Sequence, residues 1–335
     1  MRTRTHLSLL GWLALAAALV LPALGPARAQ EAAPPPVLSP VGLARADHLY
    51  LPGPVFAPAG VYPSGKVDWE VVDGLVKNSS HALGLASPWP LFQQTDRVAL
   101  MVDVADPPVE LMLVEAVLEQ IIQAGVRPEN LFIFSARESD LFAAGFALGD
   151  SGPGVRVYGA DRAGYRGGYS RLVLDQCDKI VNLACLRPHA VLGMTGALYN
   201  CLSAVDPPTM FRLLASPPEI GSVLARPPLA GRVVLHLLDC TNPFYELPTA
   251  ADPKPRWEYR GLLCSRDPVA LDALGRQLLE AKRALVKGAP WPLTPAPDYV
   301  QAAADQWKIG RADPEHLQLK VVGDRTDLLL PAPAE

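Results

Sequence analysis

The stretch CLRPHAVLGMTGALYN, residues 185–200, sets an arginine and a histidine two positions apart at the end of an apolar run, with a Thr-Gly turn six residues on. Arg187 offers a planar fork of donors suited to a carboxylate or a phosphate. The turn at Thr195 and Gly196 can present helix N-terminal amides to the same anion, and His189 has the chemistry of a general base or a metal ligand. Two acids, Asp103 and Asp239, close other apolar runs. A pair of carboxylates at neighbouring strand ends could hold a metal ion or transfer protons. Each residue also has a purely structural use: Arg187 can pair with a nearby acid such as Asp239, His189 can cap a turn, and acids at strand ends cap the helices that follow.

These residues become neighbours only if the apolar runs are adjacent strands. RVALMVDV (97–104), NLFIFSA (130–136), VRVYG (155–159), DKIVNLACL (178–186), RVVLHLLD (232–239) and YRGLLCS (259–265) read as buried strands. Helical spacing alternates with them: Lys66 to Gly84, Val109 to Gly125, Glu138 to Phe146, and an excursion from Ala197 to Leu224. The last long helix is the best specified, because Asp267 can accept its first free amides, Pro268 fills the first helical position and Gly288 stops it. The alternation predicts an α/β fold, a mainly parallel sheet with helices on both faces. A small C-terminal elaboration follows, with a helix near Tyr299 to Trp307 and strands at Leu317 to Val322 and Asp327 to Leu330. Ligands of open α/β sheets bind beyond the carboxyl ends of the strands. Asp103, Arg187, His189 and Asp239 all fall there, with Ser265, Arg266 and Asp267 at the end of the sixth run.

Residues 1–29 have the features of a Sec-type signal peptide: Arg2 and Arg4, an apolar stretch from Leu7 to Leu21, and Ala27-Arg28-Ala29 before Gln30. That stretch is short for a bilayer span, and no later segment is long and apolar enough to be one, so no transmembrane span is expected in the mature chain. The mature protein is expected in the periplasm or outside the cell. Loss of Arg2, Arg4 and Arg28 takes the 30 basic residues to 27 against 34 acidic ones, a net of −7. No basic stripe is present, so nucleic acid is not an expected partner. A proline-rich leader is expected over 30–65 and one domain over 66–330.

Familiar signatures are absent: no G-x-G-x-x-G after the first strand, no G-x-x-x-x-G-K, no G-x-S-x-G and no H-E-x-x-H. The five cysteines stand singly without a C-x-x-C pair. No iron–sulfur cluster or structural zinc is therefore expected; the cysteines read as buried small hydrophobes, or as a disulfide pair in an exported chain, where the odd count leaves at least one thiol free.

LFQQTDRVALMVD, LEQIIQAGVRPENLFIF, DKIVNLACLRPH, GMTGALYN and SRDPVALDALG together resemble the domain of unknown function 362 family, in its exported bacterial branch, over about Pro88 to Val322. Some members carry an iron–sulfur module, which is not expected here, and the resemblance brings no single reaction with it. Members typically show a first strand ending Gly-Ile-Lys-Val-Asn, a fourth strand running into Lys-x-His, and then Thr-Gly-Ala-Leu-Lys-Asn. His189, Thr195, Gly196, Ala197, Leu198 and Asn200 match that pattern. Met101, Arg187 and Tyr199 replace the three lysines, and Asp103 replaces the asparagine. If the family's lysines and amides line an anion site, this chain keeps one cation of three and adds a carboxylate, which repels an anion by on the order of 1 kcal/mol.

Two functions follow as expectations. In the first, a small polar molecule or a metal ion binds at the strand ends, with Arg187, Thr195, Gly196, Asn200, Asp103 and Asp239 around it and His189 as the candidate catalytic group. In the second, the protein is noncatalytic and keeps the fold with a degenerate site. The cofactor, if there is one, is left unidentified.

Overall fold

The order in which strands join the sheet reverses in its middle, and that reversal decides where polar residues collect. The computed structural model describes residues 38–49, 69–250, 252 and 255–330, all within one compact unit, Val37–Glu335. The signal peptide expected over 1–29 lies outside the described residues, as do 30–37 and 50–65 of the expected leader.

The described residues open with β1 (Ser39–Arg45) and α1 (Trp69–Ala82), followed by β2 (Val98–Val102), α2 (Leu111–Gln123), β3 (Leu131–Phe134), α3 (Glu138–Ala143), β4 (Arg156–Val157) and α4 (Ala160–Ala163). A short hairpin, β5 (Tyr165–Arg166) and β6 (Tyr169–Ser170), leads to β7 (Lys179–Cys185). A second hairpin, β8 (Arg187–His189) and β9 (Gly193–Thr195), leads to α5 (Ala197–Asn200), α6 (Pro207–Ala215) and α7 (Ser222–Ala225). The chain then forms β10 (Val233–Cys240), β11 (Gly261–Ser265), α8 (Pro268–Lys287), α9 (Asp298–Asp305) and β12 (Leu317–Gly323).

Among the described residues, eight strands form one sheet in the order β12-β1-β11-β10-β7-β2-β3-β4. From β10 to β4 all neighbours are parallel, and β11 is inserted antiparallel between β10 and β1. The chain moves outward from β2 to β3 and β4, then returns to lay β7 on the other side of β2. The strand order therefore reverses between β2 and β7, the place where helices diverge to opposite faces and leave a crevice.

Strand alternation divides the core. Val98, Leu100 and Val102 pack with Leu75 and Val76 of α1 and with Leu113 and Val117 of α2. Ala99 and Met101 face the opposite layer with Leu198, Leu202 and Tyr299. Along the same layer Leu271, Leu274 and Leu278 of α8 cover Leu238 and Leu263. Asp267 secures the start of α8: Oδ1 accepts the amides of Val269 and Ala270 at 2.9 Å, and Oδ2 accepts the hydroxyl of Ser39 at 2.6 Å and the amide of Arg311 at 2.9 Å. One carboxylate thus caps the helix and pins β1 and the C-terminal segment to it. Gly288, at φ +69°, ends α8 in the left-handed conformation that glycine adopts without strain.

The boundaries need three corrections. Residues 39–45, inside the expected leader, form β1, because Val41 and Leu43 are fully buried between β11 and β12; so short a run is specified by distant partners rather than by its own pattern. Residues 327–330 form no strand. The elaboration at the C-terminus is α9 with β12, and β12 extends the main sheet beside β1. All five cysteines are buried free thiols.

Gly42 is where β1 meets α1: a Cβ on it would stand 2.0 Å from the carbonyl oxygen of Ser79. Gly42→Ala should lower stability by about 3 kcal/mol, because backbone must move to admit a methyl group. Urea unfolding of the variant measures it, and an unchanged midpoint would mean that β1 is not seated there.

Candidate functional site

Asp103 leaves β2 and Arg187 begins β8, so the strand-order reversal brings them together. Arg187 donates from Nη2 to Asp103 Oδ1 at 2.9 Å, and its Nη1 lies 2.9 Å from Oδ2, off the line of a good hydrogen bond. Asp103 also accepts the amides of Ala105 at 3.2 Å and Cys185 at 3.4 Å. Both side chains are buried, at 7% and 4% exposure. Burial works against the guanidinium's charge, but Asp103 outweighs it and Arg187 is held above its usual pKa.

His189 is half-buried at the open side of this pair. Its Nδ1 accepts two amides, from Val191 and Leu192, both at 3.1 Å. A neutral imidazole with an accepting Nδ1 carries its proton on Nε2. Burial, then the field of Arg187, lowers its pKa, with Asp103 opposing, which favours the neutral ring. In this tautomer it offers a donor, with no lone pair for a proton or a metal unless the turn gives up both bonds. The ring lies 5.4 Å from that of Tyr199, whose phenol is pushed up by burial and by Asp103.

The Thr-Gly turn faces inward. The amides of Ala197 and Leu198, at the start of α5, donate to Oδ1 and Oδ2 of Asp272 at 2.6 and 3.0 Å. A Cβ on Gly196 would come within 2.3 Å of Asp272 Oδ1, so a glycine is required for that carboxylate to approach. Thr195 is fully buried opposite Arg187 in the β8–β9 hairpin, and its hydroxyl has no hydrogen-bond partner. Asn200 is also turned into the sheet. Its amide nitrogen donates to Asn182 Oδ1 at 2.7 Å and to the carbonyls of Met101 and Leu183 at 3.2 and 3.3 Å. Asn182 in turn donates to the carbonyl of Ala197 at 2.8 Å and meets Nδ1 of His236 at 3.0 Å. Burial drives the His236 pKa down to about 3.

Asp239 ends β10 on the other side of β7. Its Oδ1 accepts the amide and hydroxyl of Thr241 at 2.8 and 2.7 Å, and its Oδ2 accepts the amide of Glu110 at 3.2 Å. A crevice of about 10 Å³, room for one water, opens here between Pro108, Glu110, Cys185, Asp239 and Arg256. Glu110 was not foreseen: it reads as an ordinary first-turn acid. Burial first, then Asp239, pushes its carboxyl up to about 8, against the pull of Arg256. Asp272, five residues after Asp267, lies fully buried on the sheet side of α8. Among the described residues no group of three or more His, Cys, Asp or Glu side chains could hold a metal ion.

Residues 170–277 match the model of a family described as Domain of unknown function (DUF362). No curated protein matches the chain. The matched span carries Arg187, His189, Thr195, Gly196, Asn200, Asp239 and Asp272; Asp103 and Glu110 lie before it.

A pH dependence follows from Glu110. Its folded pKa, about 8 against an ordinary 4.5, means that folding favours the protonated form. Its contribution is complete below about pH 4.5 and is lost as pH rises through about 8. Stability of the wild type should fall by roughly 1–3 kcal/mol across that window, and Glu110→Gln should flatten the slope. Parallel urea titrations at pH 5, 7 and 9 would expose the opposite result, two curves with the same slope.

Proposed function

We propose, from the match of residues 170–277 to the model of the domain of unknown function 362 family, that this is an exported member of that family in which the strand-end block has become scaffold. It keeps the family fold and catalyses no reaction at that block.

The contact between Asp103 and Arg187 carries this reading. In the family pattern the two positions are an asparagine and a lysine, and both departures are explained together: an internal carboxylate takes the place that the anionic group of a ligand would occupy. Admitting an external anion would require the pair to part. An unpaired buried carboxylate costs about 3–5 kcal/mol, so affinity would fall by roughly 10²–10³-fold or more. The amides of α5 are already held by Asp272, and the lone pair of His189 is committed to its own turn. Export is supported by the arginines, apolar stretch and Ala27-Arg28-Ala29 site at the start of the chain.

Thermal shifts against divalent metals and small carboxylic and phosphoric acids should be silent. Arg187→Ala should cost about 3–5 kcal/mol in urea unfolding, and Asp103→Leu combined with Arg187→Met should recover most of it. A ligand-dependent gain in Tm that vanishes in both Arg187→Ala and His189→Ala would return the block to ligand binding. Export has its own readout: Edman sequencing of protein from the extracytoplasmic fraction should begin at Gln30, and an intact Met1 or an exclusively cytoplasmic protein would refute it.

A further inference from the structure

Helix α8 is longer than the body it packs on. Leu278 and Leu279 are completely buried, and seven residues later, on the same helical face, Leu285 and Val286 are 61% and 49% exposed. Residues 287–290, Lys-Gly-Ala-Pro, continue the exposed tip. The apolar stripe that covers the sheet therefore overruns it and ends in two large aliphatic side chains with nothing over them.

Their surroundings say what would cover them. Arg283 is buried and donates to the carbonyls of Trp291 at 3.0 Å and Pro292 at 3.3 Å, while pairing with Glu246. Its guanidinium carbon lies 4.1 Å from the centre of the Trp291 ring, and Lys287 lies 5.2 Å from the same ring. On the other flank Lys282 lies 5.7 Å from the centre of Trp257. Glu246 pairs with Arg283 and Glu280 with Arg276, and among the described residues Lys282 and Lys287 have no ion pair. The tip thus combines exposed aliphatic side chains, a tryptophan stacked on Arg283, and two ammonium groups without an ion pair among the described residues.

We propose that the C-terminal end of α8, with the loop through Trp291, docks on an anionic lipid surface. Leu285 and Val286 enter the boundary between headgroups and acyl chains, Trp291 lies at headgroup level, and Lys282 and Lys287 meet lipid phosphates. A second copy of this chain fits less well, because a symmetric contact would bring the lysines of both copies together.

Co-flotation of the purified full chain with vesicles of phosphatidylcholine, with and without phosphatidylglycerol, tests this. The readout is the difference between wild type and variants, so the apolar N-terminal stretch common to all of them cancels. Wild type should bind the phosphatidylglycerol vesicles more tightly than Lys282→Gln with Lys287→Gln by about tenfold, and the increment should vanish in Leu285→Ser with Val286→Ser. Both double variants should melt with the wild type, since the changed side chains are at the surface. Equal flotation of all three proteins overturns the proposal. So does a concentration-dependent dimer, seen by light scattering, that Leu285→Ser with Val286→Ser abolishes without altering flotation.

Discussion

Two hydrogen bonds, from the amides of Ala197 and Leu198 to Asp272, hold the strand-end block where it is. Helix α5 is a single turn and cannot satisfy its own N-terminal amides; buried as they are, those amides need an acceptor or they cost the fold free energy. Asp272 reaches them from α8, across the layer that covers the sheet. Once α5 is fixed, Asn200 falls over the ends of β2 and β7, Tyr199 falls beside His189, and the turn before them brings Thr195 opposite Arg187. The two motifs that looked independent along the chain, Thr-Gly-Ala and DPVALD, are two halves of this one contact.

Electrostatics closes what hydrogen bonding has positioned. At the reversal of strand order the sheet presents Asp103 and Arg187 to each other, and their charges cancel in a place where water cannot screen them. On the far side of β7, Asp239 is answered by a hydroxyl and two amides. The remaining carboxyl, that of Glu110, relieves the local excess of negative charge by holding a proton. The carboxyl end of the sheet therefore has the residue types of a ligand site, but its charges and hydrogen-bonding groups are largely spent on one another.

The parallel half of the sheet was legible because each strand is a short apolar run bounded by turn residues, and each helix has its own period. β1 was not, since Ser39–Arg45 has two proline-bearing flanks, and its strand character comes from partners more than 200 residues away. The site was legible by type and obscure by pairing. Arg187 stands out as a cation at a strand end with an acid such as Asp239 as its expected partner; choosing Asp103 requires knowing which strand lies on which side of β7. His189 could be anticipated as a turn cap, since amides two and three residues on are local. Glu110 gave no signal, because its unusual environment is made by Asp239, Cys185 and Arg256, all distant in sequence.

The closeness of Gly196 to Asp272 has a consequence for how this chain can drift. A side chain at 196 collides with the carboxylate, and a shorter or neutral residue at 272 relieves the crowding only by stranding the amides that the carboxylate served. Neither position can change alone without loss, although 75 residues separate them. The two positions are coupled, and the region between them, with its three diprolines and its helical excursion, has to bring α8 back to the same turn.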